Sequence, residues 1–444
     1  MGREGNVVMS VREWGVLDRQ LTPRERWATF AVILLVAVLA ALNMFKASPA
    51  IQYIASDVAM PKNMISQIMG AYSIPAVIFA YVGMWFGQKL GFKLSTLISV
   101  VLMAGGTITC LFVTDANLFL MGRVFEGCGY GIIAVIGPNA VPRIFPRNNI
   151  PLSMGIWSQW ITFGTVISFI FAPIFFNVGG GVSVPFSWHA IWIAAVVFEI
   201  VTAVLVVVFV KMPQIDENTI VDGDTSKRVT KGKNFMGGAI AVSIAFVVFA
   251  YYNVVAFNTM YPSFLQQAKG LDVSMSSWMT MIASILGAIV GIFCGVIAAK
   301  RHLRKAFIVI GYLVWAVIAF FFLWTPGDDM VGPWIGVIIY CIPLGFVPTC
   351  TRALIPQLVV DTKKLDFALS TMGFLMALGK VLGGYCVSPS IIALGYTGMA
   401  QFTIAPMCVV AAIIVIVFVK SDKAVDKLRD QERQESLAGE APEV

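Results

Sequence analysis

Gly83-Met-Trp-Phe-Gly87-Gln-Lys89-Leu-Gly91-Phe-Lys93 joins two long apolar runs, and the reading of the whole chain turns on it. It has an echo at Gly291-Ile-Phe-Cys-Gly295, which runs into Lys300-Arg301-His302-Leu-Arg304-Lys305, 208 residues further along a chain of 444. Two small residues four apart let helices approach closely, and a basic turn after them holds a connection on the cytoplasmic side of a membrane. A second echo has nearly the same offset. Pro138-Asn-Ala-Val-Pro-Arg-Ile-Phe-Pro146 returns as Pro348-Thr-Cys-Thr-Arg-Ala-Leu-Ile-Pro356, with both flanking prolines displaced by 210. Two echoes sharing almost one offset predict a duplicated architecture.

The chain is 58% hydrophobic and 12% charged, with a mean hydropathy of +0.84. A soluble domain carries about a quarter charged residues, so these values read as a polytopic membrane protein. The net charge of +7 would suggest nucleic acid in a soluble protein. Here its distribution matters more than its sum, and no nucleic-acid partner is expected. Cys110, Cys128, Cys294, Cys341, Cys350, Cys386 and Cys408 all fall inside apolar runs without ligand-type spacing. They read as small core residues, neither disulfides nor a metal site. The first 26 residues carry five arginines among acids and lack the compact layout of a cleavable signal, which predicts a cytoplasmic tail.

A bilayer crossing takes about 20 mostly apolar residues. Six such runs precede the middle of the chain, at 28–55, 64–87, 94–113, 118–142, 152–176 and 188–210, and six follow at 235–258, 276–299, 306–324, 334–356, 367–387 and 398–420. The predicted organisation is an all-α integral membrane protein of twelve transmembrane helices in two pseudo-symmetric six-helix bundles. Residues 1–27 form an N-terminal tail, 28–210 the first bundle, 211–234 a polar linker, 235–420 the second bundle and 421–444 a C-terminal tail. Orientation follows from the basic residues. With the N-terminus inside, the outer loops hold only Lys62 and Lys269, four basic residues lie within helices, and the remaining 25 face the cytoplasm. Both termini and the linker are therefore expected inside.

The opening stretch resembles the loop between helices 2 and 3 of the major facilitator superfamily of membrane transporters, Gly-x-x-x-Asp-Arg-x-Gly-Arg-Lys. Gly83, Gly91 and Lys93 fit it, while Gly87 stands where the superfamily usually has an acid. On the fourth run, Arg123-Val-Phe-Glu126-Gly127-Cys-Gly129-Tyr130 places positions 123, 126, 127 and 130 on one helical face. It resembles the superfamily's Arg-x-x-Gln-Gly-x-Gly, with Glu126 in place of glutamine. The resemblance covers residues 28–420. It implies two parallel six-helix repeats with the substrate site between them near the midplane, and that Arg123 lines the translocation path.

A charge inside a membrane helix is costly unless paired or hydrated, so each one is a functional candidate. Six stand out: Lys46, Arg123, Glu126, Glu199, Arg352 and Lys380. Arg352 lies near enough to the cytoplasmic end of its run to snorkel outward, and is set aside. Asn43-Met-Phe-Lys46-Ala-Ser-Pro49 puts Asn43 and Lys46 on one face and a proline where the helix can bend. Lys46 and Glu126 lie at comparable depth and can pair; the alternative is a lysine snorkelling outward. Arg123 and Glu126 can also form an internal pair that only holds the bundle together. Glu199 has apolar neighbours and is either a proton carrier or a neutral packed acid. Lys380 sits in a glycine-rich run from Gly373 to Gly384. A lysine there is similar to that of the superfamily's oxalate and formate exchangers. The arginine that completes their anion clamp on helix 8 is missing, so only the notion of a carboxylate-facing lysine carries over. Nitrate porters use arginines on helices 2 and 8; both are lacking here. Tyr251, Tyr252, Asn253 and Asn258 on the seventh run, with Gln159 on the fifth, offer hydrogen bonds or plain packing.

Phosphate loops, His-Glu-x-x-His, Gly-x-Ser-x-Gly and Cys-x-x-Cys are all missing, and the two histidines, His189 and His302, lie near membrane edges. An enzyme reading has no residues to rest on, and no metal or cofactor is expected. The expectation is a monomeric secondary active transporter of the cell membrane working by alternating access. Lys46, Arg123 and Lys380 against Glu126 and Glu199 leave the interior one positive charge in surplus. That surplus asks for a small organic anion moved with protons. Asn43, Lys46, Arg123, Tyr130, Gln159, Tyr252, Asn253 and Lys380 are the expected substrate contacts. Glu126 and Glu199 are the expected proton-coupling groups, and Gly83, Gly87, Lys89, Gly91 and Lys93 form the conformational loop. One alternative is efflux of hydrophobic or drug-like compounds, although Gly155, Gly164 and Pro173 do not have the spacing of the antiporter motif. Another is a transporter-like membrane sensor.

Overall fold

The structure, a computed structural model, describes residues 14–17, 19–146, 149–157, 159–177, 188–213, 234–325, 327, 329–359, 362–425 and 427–428. Most of the 211–234 linker and the outer parts of both tails lie outside the described residues. The first half holds α1 (Pro23–Phe45), α2 (Gln67–Leu90), α3 (Phe92–Phe112), α4 (Ala116–Ile144), α5 in two pieces (Ile150–Trp157 and Trp160–Asn177) and α6 (His189–Phe209). In the second half, α7 runs from Met236 through a π-helical stretch, Ala250–Met260, to Lys269; α8 (Val273–Arg301), α9 (Arg304–Phe321) and α10 (Val331–Leu358) follow. Helical bonding then continues from Thr362 into the last span, but Gly395 has φ 72° and ψ 174° and divides α11 (362–394) from α12 (396–418). Among the described residues, ten stretches are long and apolar enough to cross a membrane, the last of them covering both α11 and α12. With the two-piece α5, the twelve-helix reading accounts for every one.

The halves repeat each other in packing as well as in sequence. Within the first, α2 and α3 pack on α4, α1 on α5, and α6 on α1 and α3; adding six to each number gives the contacts of the second half. The two halves meet through α2 with α11 and α5 with α8, which the same shift exchanges. At the seam Gly70 faces Gly384 so closely that a Cβ on Gly384 would lie 2.3 Å from the Gly70 Cα. At that end of the bundle Ser66 Oγ donates to the Gly384 carbonyl at 2.6 Å, and Ser66 N–H donates to Ser388 Oγ at 2.9 Å. Nearer the other end, Tyr81 Oη lies 3.2 Å from Thr371 Oγ1.

The opening stretch does what its residues require. Gly91, at φ 78°, is the whole connection between α2 and α3, a backbone conformation that other residues rarely adopt. Close helix approach is seen at both echoes: a Cβ on Gly83 would meet Val135 at 2.8 Å, and one on Gly291 would meet the Gly345 carbonyl at 2.9 Å. Lys89 is exposed, whereas Lys93 is buried beneath Trp14, with Nζ 4.7 Å from the ring centroid. The chain around Trp14 is held there by a parallel pair, β1 (Val16–Leu17) with β2 (Met212–Pro213). Thr29 reinforces it, accepting from Lys211 N–H at 3.2 Å. The N-terminal segment and the chain leaving α6 thus share one end of the bundle.

Candidate functional site

The first apolar run is not one helix. Helix α1 stops at Phe45, turns through 46–50 around Pro49, and the chain resumes as a short helix, Ile51–Asp57. A helix end leaves carbonyls without partners, and Arg123 of α4 supplies them. Its Nη1 donates to Asn43 O at 2.8 Å and its Nη2 to Met44 O at 3.2 Å, while Nε reaches Ile68 O of α2 at 3.3 Å. The guanidinium also lies 4.6 Å over the Tyr72 ring and binds the carboxylate of Glu126 one turn along. Helix α2 comes this near because residue 127 is glycine: a Cβ there would lie 2.1 Å from Tyr72 O.

Lys46 stands just past the end of α1, fully buried. An ammonium has three donors, and all three are engaged: Asn43 Oδ1 at 2.8 Å, Glu126 Oε1 at 2.9 Å and Thr107 Oγ1 of α3 at 3.0 Å. The Trp192 ring of α6 caps it at 4.6 Å. Glu199 enters from the same helix. Its Oε1 accepts from Asn43 Nδ2 at 2.7 Å and lies 2.8 Å from Thr107 Oγ1, while Oε2 is buried without a partner. Two cations and two carboxylates from α1, α4 and α6 therefore share one fully buried network around Thr107.

Lys380 is placed differently. It reaches from α11 across the seam to Tyr130 of α4, with Nζ 2.6 Å from the hydroxyl and 4.7 Å from the ring centroid. It is 1% exposed, and among the described residues no carboxylate lies within ion-pair reach of it. Tyr130 packs on Tyr72 at 5.4 Å and on Trp160 of α5 at 6.0 Å, so one aromatic ladder links Lys380 to Arg123. In the second half the π-helical turns of α7 bury Tyr252 and Asn253, whose Nδ2 donates to Tyr340 Oη at 3.0 Å. Such wide turns recur at functional positions in helices.

The sequence profile of the Major Facilitator Superfamily matches residues 33–384. The chain belongs to that superfamily. Within it, the chain is 26% identical over 292 residues to the hexuronate transporter of Bacillus subtilis (strain 168), a stretch covering 64% of this chain and 67% of that protein. It is 22% identical over 199 residues to the arabinose-proton symporter of Escherichia coli (strain K12), covering 43% of this chain and 40% of that one. Among solved structures, a D-xylose-proton symporter superposes with a TM-score of 0.71 at 15% identity, covering 89% of this chain and 98% of that chain. The human organic anion transporter MFSD10 gives 0.62 at 12% identity, covering 89% and 100%. At such identities the structural likeness shows the superfamily's fold.

Of the residues singled out in the sequence, the fold gathers Asn43, Lys46, Arg123, Glu126 and Glu199 in the first bundle and sets Tyr130 and Lys380 face to face at the seam. Tyr252 and Asn253 lie on the π-helical turns of α7, and Gln159 lies at the break between the two pieces of α5. Every donor of Lys46 is spent inside its own bundle, whereas Lys380 meets Tyr130 across the seam. Thr107, Tyr72 and Trp192 join the first-bundle network as well. Thr107 follows Gly105-Gly106, a hint of close helix contact, but a threonine that also bonds its own helix at Met103 O, 2.9 Å away, is ordinary in sequence.

Proposed function

We propose that this superfamily member is a secondary active transporter that moves a small organic anion, of the chemistry of a sugar carboxylate, together with protons. It works by alternating access across the cell membrane, with both termini in the cytoplasm. One observation carries the reading: Lys380 is a buried cation at the meeting of the two halves whose partner is a neutral phenol. A buried charge without a counter-charge is costly, and a substrate carboxylate supplies the missing one. The hexuronate transporter among the relatives points the same way, because a hexuronate pairs one carboxylate with several hydroxyls. Asn253, Gln159 and Tyr130 are the candidate hydroxyl contacts. Protons act on Glu126. While it is ionised it neutralises Lys46 and Arg123; once it is protonated, Lys46 becomes a second positive group for the anion.

The test is binding to the purified protein, by calorimetry, of glucuronate, short dicarboxylates and neutral analogues such as glucose. Anions are expected to bind and glucose not. Lys380→Ala, folded normally by gel filtration, is expected to lose about 1.5–3 kcal/mol, the range for hydrogen bonds to charged groups, or roughly 10- to 150-fold in affinity. Lys380→Arg is expected to restore only part, since its planar fork aims its donors differently. A neutral sugar or an apolar cation as the best ligand, or an unchanged affinity in Lys380→Ala, overturns the anion reading.

A further inference from the structure

Thr107 is surrounded by more acceptors than its one proton can serve. Its hydroxyl oxygen lies 2.8 Å from Glu199 Oε1, 3.0 Å from Glu126 Oε1 and 2.9 Å from Met103 O, and it accepts from Lys46 Nζ at 3.0 Å. If both carboxylates were ionised, one anionic oxygen would face a hydroxyl lone pair at hydrogen-bond distance with nothing between them. One added proton removes the conflict between the two acids, leaving only the neutral carbonyl of Met103 beside the threonine oxygen. Placed on Glu199 Oε1, it donates to Thr107 Oγ1, whose own proton then goes to Glu126 Oε1. The threonine oxygen accepts twice and donates once, which is its full capacity.

The proton belongs on Glu199 at rest because of what faces each acid. Lys46 and Arg123 bind Glu126 directly, and Tyr72 lies on the far side of that arginine. Among the described residues Glu199 hydrogen-bonds only to the neutral Asn43 and Thr107, with Lys46 and Glu126 facing it from behind them, and its Oε2, buried without a hydrogen-bond partner among those residues, would carry half of a bare charge if the acid were ionised. We infer that Thr107 is a proton relay: its hydroxyl joins Glu199 and Glu126 into one hydrogen-bonded chain and passes a proton from the first acid to the second. The inference rests on the proton coupling proposed above. In the relay step the Glu199 O–H bond breaks as a new bond forms to Thr107 Oγ1, while the original hydroxyl proton leaves Thr107 for Glu126 Oε1. Glu199 gains the negative charge that Glu126 loses, Thr107 ends with one proton, and Lys46 is released from its counter-ion. Thr107 is thus a positioning and relay residue, and Glu199 is the store.

Infrared spectroscopy of the purified protein in lipid reads the chain directly. The parent is expected to show the C=O stretch of a buried carboxylic acid, which Glu199→Gln loses, Thr107→Val shifts and Thr107→Ser leaves in place. In proteoliposomes, with radiolabelled glucuronate as the probe, Thr107→Val is expected to lower the ratio of pH-driven uptake to exchange until the gradient gives no advantage, and Thr107→Ser to restore it. Identical carboxyl bands in the parent and Glu199→Gln, or full pH-driven accumulation in Thr107→Val, overturn the relay. A parent that shows no pH-driven uptake overturns the coupling reading instead, and the infrared bands still decide whether Glu199 holds the proton.

Discussion

Glu126 stands between two cations that reach it from different directions, Arg123 from one turn back on its own helix and Lys46 from the end of α1. A glutamine has the same shape and cannot balance both. Glu126→Gln therefore removes the one carboxylate that, among the described residues, pairs with Lys46 and whose protonation would release it, and uptake of glucuronate driven by a pH gradient is expected to be lost. The ratio of that uptake to exchange in proteoliposomes measures it, and undiminished accumulation removes Glu126 from the proton path. Helical spacing made the Arg123 and Glu126 pair legible, and equal depth in the membrane did the same for Lys46. Other parts of the network were hidden, for physical reasons. Asn43 and Glu199 are 156 residues apart, so no periodicity relates them. The motif that implies a path-lining role for Arg123 gives no sign that its donors also hold the carbonyls that α1 leaves open where it turns.

Helix α6 shows what an apolar run conceals. Its hydrophobic residues go all the way round, yet only Trp192, Ala195, Glu199, Thr202 and Val206, at alternating steps of three and four, together with Ile191, are buried, while Ile193, Val197, Ile200 and Val204 face outward. The run was readable as a span, but the inward stripe shows only once α1 and α3 cover it. Length misled at α1, where one run of 28 residues contains a helix end, a turn and a second helix, because hydropathy does not register a change of backbone direction. It served well between α11 and α12, where backbone bonding runs on past Gly395 and the apolar runs stop. Helix α3 offers a local test of packing. Gly106 lies against α4 such that a Cβ would be 2.5 Å from both Glu126 N and Gly122 O, while nothing lies within 4 Å of one on Gly105. Gly106→Ala is expected to force α3 away from Glu126 and cost about 1–3 kcal/mol, as overpacking does. Gly105→Ala is expected to be neutral or to stabilise by up to about 1 kcal/mol through helix propensity. Thermal melting of the two variants in detergent compares them, and equal melting points would mean that α3 and α4 are not packed this tightly.

At the scale of the whole molecule, the two echoes in the sequence anticipated the symmetry because a duplicated bundle must solve the same packing problem twice: close approach at Gly83 and at Gly291, and the same partners for each helix displaced by six. The way the halves sit against each other was not legible, since the residues at this end of the seam are small and carry no charge pattern: Ser66 and Gly70 on α2 and its entry, Gly384 and Ser388 on α11. The same plainness makes this end of the seam separable, because two serine side chains and a glycine contact can part there without breaking an ion pair. Alternating access requires that separation. With the proposed orientation, both termini in the cytoplasm, this end of the bundle faces outward and is the end held closed here. Ser66 and Ser388 exchange hydrogen bonds in both directions, at 2.9 and 3.1 Å, which holds the two residues side by side. In a background with the seven native cysteines replaced, Ser66→Cys with Ser388→Cys is expected to form a disulfide under mild oxidation, seen as a resistant link between the halves after proteolysis in the linker. Uptake of glucuronate into proteoliposomes is then expected to stop and to return on reduction. A crosslinked protein that still transports would mean that these outer ends need not open, and alternating access through this seam would be excluded.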